Sequence, residues 1–352
     1  LDIGLNAYSD PDTLVVDIDS AIKTSRLRRA NDNVEDDFYH NGTNLVNSSD
    51  VDVSTWANGS DVFVTKLYNQ TSLSGKSDLI QTDTAKQPKL NLSTLEVDFG
   101  SGTDNWYLYA EDSTKMLESG ENNYAYAFHI NSQQYNSAGS GTVGRVFGYR
   151  GNGNHATSSQ FAIRRSTTKG GFSGHYHDTS LDHIDVYNNT DYNIVMGIDD
   201  SSNENISIWS NNDNVIRKHG LNGSNVATSD LNLATNIGFN YGVHDDNSLI
   251  YTGTSKYLII VDRMVTDGEA SSFNSSPATW LDDNNLQSNS VGVFSPMKMI
   301  DTNTITLTGL DPLVFGLSSK TLTTSDNTLE MITLVESQPE PEPEPESQPE
   351  PE

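Results

Sequence analysis

The stretch Lys256–Phe273, KYLIIVDRMVTDGEASSF, changes character halfway along. Its first half alternates as a strand does: Tyr257, Ile259 and Val261 fall on one face, and Leu258, Ile260 and Asp262 on the other. Its second half is a polar turn in which Thr266 stands three residues before Glu269. That spacing predicts a capping box, in which the Thr hydroxyl and the Glu carboxylate satisfy backbone N–H groups left open at a helix start. Helix signals are scarce elsewhere, so one strong strand running into one capped turn this late in the chain asks for an explanation.

Working outward, short alternating runs bounded by Gly, Asn, Asp and Ser recur: LEVDFG (95–100), NWYLYA (105–110), YAYAFHI (124–130), GRVFGYR (144–150), QFAIRRS (160–166), YNIVMGID (192–199), NISIWS (205–210) and TNIGFNYG (235–242). This predicts an all-β fold, an antiparallel two-sheet jelly-roll sandwich with one face of each strand buried; a barrel gives a similar pattern. The run TLVVDIDSAIKTSRLRR (13–29) adds a strand or two. Its Lys23, Arg26, Arg28 and Arg29 form the only dense basic patch, and Glu35, Asp36 and Asp37 follow closely, which fits a surface ion-pair network. The expected division is an N-terminal extension over 1–13, the jelly roll over 14–275, a small β unit over 276–336, and a Pro-Glu linker over 337–352. In the linker, proline at alternate positions enforces polyproline II, and the Glu charges between stiffen it.

The chain has 352 residues, 34% hydrophobic and 19% charged, with a formal net charge of −28. Phosphate contacts need clustered Lys and Arg, so nucleic acid is not an expected partner. Such a charge gives a soluble, self-repelling surface instead. Without cysteine there is no disulfide framework, thiolate zinc site or cysteine nucleophile. No run of about 18 apolar residues predicts a membrane span. The start at Leu1, without Met or a signal-like segment, reads as an excerpt or a processed product.

Two resemblances follow from particular residues. The segment 249–273, through Gly253, Ile259, Val261, Asp262, Arg263, Asp267 and Glu269, resembles the final strand and turn of laminin-G-like, concanavalin-A-like jelly rolls. In that family the last strand fills the inner sheet and the capped turn folds over the sandwich edge. The stretch 192–216 is similar to the family's long hairpin. The segment 63–90, through Phe63, Val64, Tyr68, Gln70, Asp78, Gln81, Gln87 and Pro88, resembles a segment shared by fungal arabinofuranosidase catalytic domains and structural proteins of marine phages. Here Asn69 replaces the usual Asp, and Ser72-Leu73-Ser74-Gly75 lengthens the loop. RLRRANDN (26–33) resembles the strand that precedes this segment. The similarities span about 20–273, and the fold they imply hosts lectins, hydrolases and packing modules alike.

Several constellations offer chemistry. Trp106, Tyr107 and Tyr109, with Tyr124 and Tyr126, lie close on alternating strands; rings that stack on sugar faces would form a glycan platform, or else part of the core. Asp199, Asp200 and Glu204 supply hard oxygen ligands suited to calcium, the one cofactor expected, as does 244–247, although turn chemistry explains both loops. His175, His177 and His183, with Asp178 or Asp182, could hold zinc or line a solvent-facing hairpin. Glycoside hydrolysis needs two carboxylates flanking the bond, and 48 acidic residues give no way to choose a pair. The expected function is a non-enzymatic structural or adhesive module of a virion (capsid decoration or fibre) or cell surface, extracellular and able to bind glycans. The alternative is an arabinofuranosidase-like hydrolase. The partners are glycans, other virion or surface proteins, or further copies of this chain in a homo-oligomer.

Overall fold

The computed structural model describes residues 22–133 apart from 72, 101–105, 113–114 and 118–122. From 143 to 243 it describes chiefly the strands named below and residues beside them, then 251–300 apart from 274–276 and 285. It also describes the backbones of strands Gly4–Asn6, Thr13–Asp17 and Thr304–Thr308. The chain divides into two compact units, one of Leu1–Asp19 with Thr302–Glu352 and one of Ser20–Asp301. In the smaller unit, Thr13–Asp17 pairs antiparallel with Gly4–Asn6 on one side and Thr304–Thr308 on the other.

This division differs from the boundaries expected at 13 and 275. The extension carries a strand of its own, and residues 276–301 belong to the larger unit. The physical reason lies in strand Ser290–Phe294, which pairs antiparallel with Leu258–Val261. All five of its residues are buried, so it shows no polar alternation. A Cβ at Gly292 would lie 2.7 Å from the Phe294 ring and 3.2 Å from the Ile260 side chain, so glycine sits where a strand-forming residue would have signalled itself. LVFGLSS (313–319), LEMITLV (329–335) and the Pro-Glu segment lie outside the described residues.

The larger unit is an all-β sandwich, as the period-two runs predict. One sheet runs Asp213–Gly220, Asn205–Ser210, Asp191–Asp199, Asn123–Ser132, Leu258–Val261, Ser290–Phe294, each antiparallel to the next. The other runs Glu35–His40, Ile22–Arg29, Val62–Leu67, Leu79–Ile80, Leu108–Ala110, Gly238–Tyr241, Val143–Arg150, Gln160–Arg164, Lys169–Phe172, Ile184–Asp185. Along one side the sheets are continuous through Lys89–Asn91, Glu96–Asp98 and Gly253–Ser255. Gly253 turns that corner with φ of 141°, and a Cβ there would meet the Asn131 carbonyl at 2.2 Å, so only glycine fits.

Both faces of the central strands of the first sheet are buried, which explains why Leu258–Val261 reads as a continuous apolar run. Leu258 and Ile260 join Tyr124, Tyr126, Phe128, Ile194 and Met196 in the core between the sheets. Ile259 and Val261 join Ala125, Ala127, Val195 and Trp209 on the opposite face. There the short helices Asp267–Ser272 and Pro277–Asp283 supply Ala270, Trp280 and Leu281 as cover. Each such large side chain removed from water contributes about 1.5–3 kcal/mol. The capping box forms as the spacing predicts, Thr266 Oγ1 accepting from the Glu269 N–H and Glu269 accepting from the Thr266 N–H at 2.7 Å. Arg263 pairs with the same carboxylate at 2.7 Å, and Trp280 Nε1 donates to the Glu269 carbonyl at 2.6 Å. The basic patch is an ion-pair network: Asp37 binds Lys23 at 2.6 Å and Arg26 at 2.7 Å, and Arg29 binds Asp32 at 2.7 Å.

Candidate functional site

Five residues were expected on a glycan platform, and the structure separates them. Tyr124 and Tyr126 are fully buried in the core between the sheets, Tyr126 packing 4.7 Å from the Phe147 ring, so neither can meet a ligand. The correction follows from strand alternation: even positions of Asn123–Ser132 face the core, and odd positions carry Ala125, Ala127, His129 and Asn131. Trp106, Tyr107 and Tyr109 are half-buried. The Trp106 ring meets Phe63 edge-on at 6.1 Å, and Tyr107 lies 6.3 Å from Tyr109. Asp199 ends its strand opposite Asn123 and Asn205, while Asp200 and Glu204 lie outside the described residues. So do His175, His177, Asp178, Asp182, His183 and the 244–247 loop.

Strand register assembles a surface that the sequence did not announce. Direct cross-strand partners share a face, and the pairings link Phe63 to Lys89, Lys89 to Asp98, Asp98 to Thr254, Thr254 to Asn131, and Asn131 to Asp191. These six residues form one row across six strands, over the side where the sheets are continuous. All are half-buried except the exposed Asp191. Neighbouring strands lie about 4.8 Å apart, so the row offers one side chain per step of that length. It begins at the Phe63–Trp106 pair, with Lys89 Nζ 5.8 Å and 5.7 Å from the two ring centroids. It ends at Asp191, whose carboxylate accepts from Asn131 at 3.0 Å and lies 3.1 Å from His129 Nε2.

Beside the far end of the row sits a charged cluster of Glu96, His129, Asp191 and Lys256. Glu96 binds Lys256 Nζ at 3.3 Å with one oxygen and accepts from the Thr254 hydroxyl at 2.9 Å with the other. Burial, with the Lys256 charge in support, depresses the His129 pKa to about 4, so the ring is neutral at pH 7. Its Nδ1 accepts from the Lys256 N–H at 3.3 Å, which leaves the ring proton on Nε2, donated to Asp191. Burial works to raise Asp191, but the Asn131 amide and the His129 ring outweigh it and hold the carboxyl below its usual value.

Glu96, His129 and Asp191 bring one ligand atom each within 4.8 Å of one another, a set that could hold a metal ion. The hydrogen bonding opposes it. A ligating ring nitrogen must give up its proton, and the second nitrogen then normally donates. Here Nδ1 already faces an N–H donor, and the Lys256 ammonium occupies the carboxylate of Glu96. The cluster supplies its own cation.

The arabinofuranosidase-like segment does framework work. Asn69 Nδ2 donates to the Ser77 and Val291 carbonyls at 3.0 Å each, and Oδ1 accepts from Val293 at 2.9 Å and Thr71 at 3.2 Å. Gln70 donates to the Ser295 and Met297 carbonyls and accepts from Met299 N–H, all within 2.8–2.9 Å. Gln87 accepts from Arg28 at 2.7 Å and donates to the Gln81 carbonyl at 3.0 Å. These side chains clasp Ser290–Phe294 to the sandwich edge and brace the loop under Tyr107, whose carbonyl accepts from Gln81 at 3.0 Å.

No protein-family model matches the chain, and no curated protein matches it in sequence. Among solved structures, a GH54 α-L-arabinofuranosidase soaked with a cyclic sulfate inhibitor shares 12% identity over 79% of this chain and 61% of its own, with a TM-score of 0.49. The CBM40 of a Ruminococcus gnavus sialidase, bound to α2,3-sialyllactose, shares 11% over 57% of this chain and 97% of its own, at 0.34. Tailspike protein 2 of Escherichia coli O157:H7 bacteriophage CAB120 shares 10% over 58% of this chain and 27% of its own, at 0.36. The chain thus spans less than two thirds of that arabinofuranosidase, and likenesses this low leave function to the residues themselves.

Proposed function

We propose that the sandwich is a non-enzymatic glycan-binding module displayed on a virion or cell surface, and that the row from Phe63 to Asp191 is its binding face. The observation that carries this reading is the row itself. It sets an aromatic pair at one end of a single file of amide, hydroxyl and carboxylate groups. Rings give sugar faces an apolar surface, and side chains such as Asn131, Thr254 and Asp98 offer hydroxyl partners. The step between strands, about 4.8 Å, is close to the length a pyranose adds to an extended chain.

The carboxylates support binding over hydrolysis. A glycosidase needs one protonated carboxyl and one free to attack or to activate water. Asp191, held ionised, has no proton to give at neutral pH, and both oxygens of Glu96 are engaged. Calcium at Asp199, Asp200 and Glu204 stays part of the proposal as a stabilising ion. Among the described residues no helix is long and apolar enough to cross a membrane.

The test is a glycan array paired with a reducing-sugar assay on arabinan, arabinoxylan and nitrophenyl glycosides. The proposal expects array binding weakened by Trp106→Ala, and no sugar release. Turnover abolished by Glu96→Gln or Asp191→Asn would establish the hydrolase instead.

A further inference from the structure

We infer that the row selects uncharged polysaccharide chains and turns away acidic ones, whether their charge comes from uronate, sialate or sulfate groups. This rests on the proposed glycan-binding reading and names its ligand class. Among the described residues, the cations near the row are already matched by the protein's own acceptors. Lys89 pairs with Asp61 at 2.8 Å, and Lys256 with Glu96 at 3.3 Å. Lys66 lies between Asp78 at 3.2 Å and Glu111 at 3.1 Å, and Lys86 pairs with Asp83 at 3.2 Å. The buried Arg28 guanidinium stacks 4.7 Å from the Phe63 centroid and donates to Gln87 and Asn33. An acidic sugar would have to break one of these pairs before gaining one.

The carboxylates along the row point the same way. Asp98 and Asp191 stand in the row itself, and Glu96 lies beside it. An anionic group laid along it would face two carboxylates within a few strand spacings, on a chain whose net charge of −28 adds long-range repulsion. A sugar hydroxyl meets the opposite situation. It can donate to Asp98, Asp191 or the Thr254 hydroxyl oxygen and accept from the Asn131 amide, and hydrogen bonds to ionised acceptors are the stronger kind. The apolar ring pair needs no charge on its ligand.

The experiment is affinity electrophoresis of the full chain in gels holding neutral polymers (arabinan, mannan, a mixed-linkage β-glucan) or acidic ones (polygalacturonate, alginate, heparin), at low and high salt. The inference predicts retardation by at least one neutral polymer, insensitive to salt. It also predicts a loss of about tenfold in affinity in Phe63→Leu, which keeps apolar packing and removes the ring, and no retardation by acidic polymers. Retardation by an acidic polymer that salt abolishes and Lys89→Gln or Lys256→Gln weakens would overturn this inference while leaving the glycan-binding reading intact. Retardation by none of the polymers would overturn both.

Discussion

Asn69 uses two donors and two acceptors on backbone groups of three separate segments, and no other residue type reproduces that set in the same space. Asn69→Asp, which restores the residue usual in the segment it resembles, would turn a carboxylate toward two carbonyls. We expect a loss of about 2 kcal/mol, read as a lower urea midpoint, because a half-buried carboxylate would face two carbonyls to which it cannot donate. His129 makes a second residue-scale prediction. Its pKa is about 4 in the folded protein against about 6.5 unfolded, so the unfolded chain binds more protons between those values. Stability attributable to the neutral ring is therefore present above pH 6.5 and lost as pH falls toward 4, by about 3 kcal/mol in all. His129→Gln should flatten the pH dependence of the unfolding midpoint across that window, and an equally steep profile would contradict it. At this scale little of the site was legible. Phe63 was visible only as part of a resemblance, and Asn131 and Asp191 not at all. The one signal present was YAYAFHIN (124–131), whose odd positions pass from Ala125 and Ala127 to His129 and Asn131 while even positions stay apolar.

Among elements, strand Leu258–Val261 and its capped turn were readable because their causes are local. Alternation places Leu258 and Ile260 opposite Ile259 and Val261, and Thr266 and Glu269 need only each other. Arg263 draws the Glu269 carboxyl down to about 2, against burial working to raise it. A carboxylate with a depressed folded pKa stabilises the fold above its unfolded value and ceases to as pH falls toward 2. Thr266→Ala should cost about 1 kcal/mol at neutral pH, measured by thermal or urea unfolding; no change would mean that Trp280 and Arg263 hold the turn unaided. Strand Ser290–Phe294 was illegible for the converse reason. It is buried on both faces and interrupted by Gly292, and its partners lie at Leu258–Val261 and, through Asn69 and Gln70, more than two hundred residues upstream. Likewise Tyr124 and Tyr126 were assigned to the right periodicity and the wrong face, because a tyrosine hydroxyl reads as a surface group when the core that surrounds it is not yet known.

For the whole molecule, composition and repeated short strands identified the all-β class, since turn residues and period-two runs act everywhere along the chain. They could not tell that strands from both chain ends pair in one unit, because that pairing joins Thr13–Asp17 to Thr304–Thr308. The charge of −28 makes its own prediction: added sodium chloride should raise the unfolding midpoint by screening self-repulsion, and a falling midpoint would mean that local ion pairs outweigh it. The row also exists only at this scale, since its six members come from six strands spread between Phe63 and Thr254. Its most direct test is chemical-shift mapping of the labelled protein titrated with a neutral oligosaccharide taken from a polymer that retards it. The account predicts shifts that follow the row, at Phe63, Lys89, Asp98, Thr254, Asn131 and Asp191, with Trp106 moving alongside them. Shifts concentrated elsewhere on the sandwich, with these residues unmoved, would contradict it.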